Sequence, residues 1–132
     1  MPNGSNDIGV RYSQIAYFCE FLDGHPAVDG YTRRDDIVFD VQLKNMNAIT
    51  ILICNEYTCS LARVIEFVAR FGPLHIITVG GNWNSYTTDA KEFCLEAELG
   101  LYSGRELYRA LFRREYWSFH FTDKDGNPVY GE

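Results

Sequence analysis

Apolar residues recur with helical spacing at the start of the chain. Ile15, Phe18, Cys19 and Leu22 fall at i, i+3, i+4 and i+7, which predicts an amphipathic helix over about residues 11–22. Asp23-Gly24-His25-Pro26 stops it, and Val28 to Asp36 reads as a loop. The period then switches to two. Ile37, Phe39, Val41 and Leu43 alternate with Val38, Asp40 and Gln42, the pattern of a strand with one more polar face. Lys44-Asn45-Met46-Asn47 makes a turn. Ala48 to Cys54 is a second strand, apolar on both faces, which belongs in a sheet interior. The short turn makes the pair an antiparallel hairpin.

Beyond the hairpin, strand and helix patterns alternate. Leu61, Val64, Ile65 and Val68 predict a helix ending at Gly72-Pro73, followed by a strand from Leu74 to Val79. After Gly80-Gly81 and a polar loop comes a helix carrying Ala90, Phe93, Cys94 and Ala97, with Gly100 as its cap. Leu99 to Tyr102 is a short strand. Ser103 and Glu106 have capping-box spacing and open a helix whose inner face is Leu107, Ala110 and Leu111. Tyr116 to Phe121 predicts a late strand, and Asp125-Gly126 turns the chain towards Pro128-Val129-Tyr130. The sum is an α/β fold: a small mixed sheet with an N-terminal helix, an antiparallel hairpin, strand–helix crossovers and a hairpin-like tail. We expect one α/β domain over 1–132, with 1–9 as a polar arm.

Composition narrows the function classes. Hydrophobic residues are 46% and charged residues 23% of 132, so the bulk of the chain has the material for a folded core. Twelve basic residues face eighteen acidic ones, and a net charge of -6 opposes non-specific attraction to nucleic acid or anionic lipid. The longest apolar stretch, Ala48 to Cys54, is too short to span a bilayer. No basic and apolar leader pattern opens the chain, and the expected location is cytoplasmic. Cys19, Cys54, Cys59 and Cys94 contain no CxxC pair and read as buried free thiols.

Candidate chemistry sits where ligands collect in open α/β sheets, at the carboxyl ends of strands. One such loop offers Gly80, Gly81, Asn82, Trp83, Asn84, Tyr86 and Thr87. Two glycines let backbone approach a ligand, and the side chains offer hydrogen bonds and planar rings. The plainer reading is a turn, an N-cap and two packed aromatics. The other loop begins at Asn55-Glu56, and Glu56 at the end of an apolar strand is a candidate acid, base or metal ligand. Asp36 and Asp40 share one face of the first hairpin strand by period two, so with Glu56 they are a candidate divalent-metal set. The plainer reading there is a solvated sheet face.

His75 to Leu111 resembles the C-terminal part of Mrr-like restriction endonuclease domains, of the PD-(D/E)xK nuclease fold. The residues that carry the likeness are Ile76-Ile77-Thr78-Val79-Gly80, then Thr88-Asp89-Ala90-Lys91-Glu92-Phe93-Cys94, then Leu99 through Leu107. The likeness covers less than a third of the chain and lies in the scaffold. It implies a nuclease-like sheet and, were the catalytic half to follow, magnesium or manganese at Asp40 and Glu56, with Asp36 alongside and Lys44 positioning the water. The catalytic half departs from that pattern. Gln42-Leu43-Lys44 has the right letters on the wrong strand, and Glu56 is followed by Thr58 where a lysine is expected. Three function classes result: a metal-dependent or catalytically degenerate nuclease-like protein, a non-catalytic ligand- or protein-binding module using the Gly80–Thr87 loop, or a nucleotide-binding α/β enzyme holding phosphate at a helix N-terminus, for which no full phosphate-loop pattern is present. The partners they imply are nucleic acid or a small ligand, with no membrane. A second copy of the chain could also dock through the aromatic tail.

Overall fold

A computed structural model describes residues 6–80 and 83–131. Chain order is α1 (Tyr12–Gly24), β1 (Val28–Arg33), β2 (Val38–Leu43), β3 (Ala48–Ile53), β4 (Thr58–Cys59), α2 (Leu61–Phe71), β5 (Ile76–Thr78), β6 (Ser85–Tyr86), α3 (Thr88–Glu96), β7 (Gly100–Tyr102), α4 (Gly104–Ala110), β8 (Phe121–Thr122) and β9 (Pro128–Val129). The main sheet runs β1-β2-β3-β5-β7. Its first three strands are antiparallel neighbours, and β3, β5 and β7 are parallel. The expected mixed α/β architecture is therefore present. Among the described residues no helix is long and apolar enough to cross a membrane.

The register fixes the layers. Phe39 pairs with Ile51, so both point to one face, and there the Phe18 ring of α1 meets Phe39 edge-on at 4.9 Å. Ile53 pairs with Thr78 and points the same way, under α1 and α4. The successive β3–α2–β5 and β5–α3–β7 crossovers put α2 and α3 together on the opposite face, where they pack on each other. Helices α1 and α4 run side by side, joined at their C-terminal ends. There Phe21 lies 6.3 Å from Tyr108, and the buried His25 bonds the Tyr108 carbonyl at 2.8 Å.

Several local expectations are corrected. Residues 28–33 form the edge strand β1, not a loop; Asp29, Gly30 and a bulge between Val28 and Gly30 break its alternation. Helix α2 is rotated from the expected face, since Val64 and Phe67 are buried while Ile65 and Val68 are exposed. In α3 the inner face is Ala90, Lys91 and Cys94, and Phe93 faces out. Gly100 is no helix cap. It opens β7 because a Cβ there would lie 2.7 Å from the Tyr102 ring and 2.9 Å from Ile76. The described part of the polar arm is docked: Ile8 and Val10 are buried, and Asn6 donates to Asp36 at 2.7 Å.

The tail folds back onto its own chain. Tyr116, Phe119 and Tyr130 pack against the core. The Tyr102 hydroxyl donates to the Tyr116 carbonyl and accepts from the Phe119 amide. Of the expected late strand 116–121 only Phe121 is strand; with Thr122 it forms β8, paired with Pro128–Val129. The tail thus lies against β7, the last strand of the sheet, and Lys91 closes that strand's open edge by donating to the Leu101 carbonyl at 2.7 Å.

Candidate functional site

The two loops expected to carry chemistry do open on one edge of the sheet. They are knitted together by β4 and β6, which pair in parallel, and by Asn84, which donates to Asn55 at 2.9 Å and to the Val79 carbonyl at 2.8 Å. Gly80 has φ +103°, and a Cβ there would stand 2.9 Å from the Cys54 carbonyl, so this position requires glycine. Gly81 and Asn82 lie outside the described residues. Trp83 is 86% exposed and packs on nothing that would make it architectural. Tyr86 is different: it is buried, and its hydroxyl hydrogen-bonds Glu106 at 2.6 Å. Thr87 caps α3 by accepting from the Ala90 amide at 3.3 Å. Of the seven loop residues expected to bind, then, Tyr86, Thr87 and Asn84 are committed to holding the fold.

The four residues expected to be catalytic are not brought together. Asp36 sits in the β1–β2 connection, nearly buried, with Arg33 3.5 Å away. Asp40 lies in β2 opposite Thr50. It accepts from Arg34 at 2.8 Å and from the Thr50 hydroxyl at 2.8 Å, on the face turned away from α1. Glu56 lies past the end of β3, paired with Arg63 at 3.2 Å. From Thr50 to Ile53 alone the strand covers roughly 10 Å, which keeps the Asp40 and Glu56 carboxylates apart. Lys44 is in the β2–β3 turn, at the other end of the sheet from Glu56. The expected metal pair of Asp40 and Glu56 therefore does not converge, and the donors do not fit a magnesium or manganese ion. Among the described residues no group of three or more His, Cys, Asp or Glu is placed to hold a metal.

A large concave feature lies between α1 and α4. It is a groove of about 840 Å³ over the carboxyl ends of β3 and β5. Ile53, Cys54, Thr78 and Gly80 form its floor. One wall is the α1 face of Ser13, Gln14, Tyr17, Phe18 and Phe21, and the other is Arg105, Leu107 and Tyr108 of α4. Both helices begin at the strands' carboxyl edge, so the groove opens there. It narrows where Phe21 and Tyr108 meet. A second depression of about 310 Å³, by Thr32, Asp40, Gln42 and Thr50, is a shallow dip on the open sheet face.

Gln14 and Ser103 in the groove lining are held in place. The Gln14 carboxamide oxygen accepts from the Arg11 amide at 3.0 Å, which orients its NH₂ towards Gly80. Ser103 and Glu106 form the expected capping box at the start of α4. Cys54 forms no reactive centre, because burial pushes its thiol well above the usual range. Cys59, at a helix start, is likewise pushed up to about 12 by burial.

Sequence reasoning found the edge of the sheet where this groove opens but missed its walls. The available signals were the exposed tyrosine at position 17 on the far side of an amphipathic helix, and an arginine inside the capping box. Neither stands out without knowing that α1 and α4 are neighbours. Comparison of the chain with protein-family models, with curated proteins and with solved structures gives no match.

Proposed function

We propose that this chain is a catalytically silent, nuclease-like binding module whose ligand site is the groove between α1 and α4. The observation that carries the reading is the contrast between two places in the fold. The carboxylates a nuclease would use are held by arginines: Asp40 by Arg34, and Glu56 by Arg63. The groove, by contrast, is large enough for a small organic molecule and is lined by rings and a few oriented polar groups. The nuclease-like part of the reading rests on the scaffold residues named above. Those residues lie in chain order along β5, α3, β7 and α4 and the residues that flank them. The Gly80–Thr87 loop contributes Gly80 to the groove floor, and Trp83 stands free outside it.

Metal titration tests the silent half of this reading. Thermal melts with magnesium or manganese in millimolar excess should leave the midpoint unchanged, and linear DNA incubated with either ion should stay intact. A metal-dependent rise in the midpoint that Asp40→Asn abolishes, with DNA cleavage, would restore the nuclease.

A further inference from the structure

We infer that the α1–α4 groove selects small planar aromatic anions: a flat ring carrying one carboxylate or phosphate. This rests on the groove being the ligand site.

The ring requirement follows from the walls. Tyr17 is 71% exposed and Tyr108 43% exposed, although each lines the groove from a different helix. Phe18 and Phe21 stack at 5.6 Å behind Tyr17, and Phe21 in turn meets Tyr108 edge-on at 6.3 Å. This aromatic lining is unfinished at Tyr17, which has no ring partner among the described residues, whereas Tyr108 already packs on Phe21, His25 and Phe112. A planar ring entering from the open edge completes it by offset or edge-to-face stacking.

The charge requirement follows from Arg105. The chain carries a net charge of -6, yet among the described residues the groove lining contains no carboxylate and one cation, Arg105. Elsewhere several arginines are neutralised: Arg34 pairs with Asp40, Arg63 with Glu56 and Glu66, and Arg70 with Asp7. Arg105 has no ion pair among the described residues. Its guanidinium instead lies 5.8 Å from the centre of the Phe121 ring of the tail. A guanidinium backed by a ring and left without a carboxylate suits a planar carboxylate or a phosphate, because its fork of N–H groups matches two acceptor oxygens. One guanidinium can engage two oxygens of one anionic group. The Gln14 NH₂, fixed by its own carbonyl's bond to Arg11, adds a neutral donor on the opposite wall. It can meet a ring carbonyl or a ring nitrogen.

Calorimetric titration of the full chain with 2-naphthoate, 2-naphthamide, cyclohexanecarboxylate and naphthyl phosphate tests this, with backbone NMR shifts locating each ligand. Both naphthyl anions should bind and move the amides of Tyr17, Thr78, Arg105 and Tyr108. The neutral amide and the non-aromatic acid should each bind at least tenfold more weakly. Arg105→Gln should reduce the 2-naphthoate affinity to that of the amide while leaving the melting midpoint unchanged. Stronger binding of one anion than the other tells a carboxylate source from a phosphate source. If 2-naphthamide binds in the groove as well as 2-naphthoate, or Arg105→Gln changes nothing, the anion selectivity is wrong and the groove remains the site. If none of the four moves groove amides, the groove reading itself fails.

Discussion

Lys91 is fully buried, with its ammonium donating to the Leu101 carbonyl and lying 4.1 Å from the Tyr102 ring centre. Burial pulls it down from 10.5 to about 8, against the pull of the Glu106 charge. The sign of the stability effect follows. Between about pH 8 and 10.5 the unfolded chain holds this proton and the folded one releases it, so the unfolded state binds more protons and stability rises with pH. Below pH 8 the full cost of the buried charge is present. Lys91→Met keeps the length and volume and removes the charge. Relative to the variant, the wild type should gain on the order of 2 kcal/mol between pH 7 and 9.5, at ~1.4 kcal/mol per unit of pKa. Urea melts of both proteins across that range measure it, and a constant gap would mean that Lys91 keeps an ordinary titration. The tyrosines held up by burial, Tyr86 and Tyr102, are common to both proteins and cancel in the comparison. Lys91 also shows why residue-level reading has a limit. A lysine in a helical stripe counts as polar, so the pattern assigned the inner face to Phe93, and only the edge of β7 explains why a charge lies inside.

At the scale of elements, α4 was the most legible piece. Its box residues and its apolar positions Leu107, Ala110 and Leu111 sit where the spacing places them, all buried. The box does more than end a helix, since the Glu106 carboxylate also accepts from the Tyr86 hydroxyl and from the Gly131 amide at 3.1 Å. Ser103→Ala should therefore cost about 1 kcal/mol, the value of an N-cap, because Glu106 keeps its other partners. Chemical denaturation reads this directly. A loss several times larger would mean that Ser103 organises the whole Glu106 cluster. Other elements were not legible for reasons that are equally physical. Strand β1 is an edge strand with Gly30 in it, so it lacks alternation. Strands β4 and β6 exist only because two loops meet, and neither has a local signal. Helix α2 offers two overlapping stripes, and the tertiary choice of Val64 with Phe67 left Ile65 and Val68 outside.

At the scale of the whole molecule, the sheet's carboxyl edge was foreseeable and the groove was not. Strand alternation from Ala48 onward was enough to expect parallel β3, β5 and β7, and a parallel run collects its loops on one edge. The walls come from helices about 80 residues apart along the chain, joined through His25, whose ring accepts from the Ala27 amide at 3.0 Å and bonds the Tyr108 carbonyl. No sequence-local pattern reports that pairing. The carboxylates that a sequence reading gathers into one site are distributed by the fold: Asp40 on the open sheet face, Asp36 in the β1–β2 connection and Glu56 past the end of β3. The central claim is that binding happens in the α1–α4 groove. It is tested most directly by mapping backbone amide shifts of the ¹⁵N-labelled protein against a small-fragment library. Ring-bearing fragments should move Gln14, Tyr17, Thr78, Arg105 and Tyr108 together. Shifts gathered instead around Asp40 and Thr50, or around Tyr57 and Trp83, would contradict it.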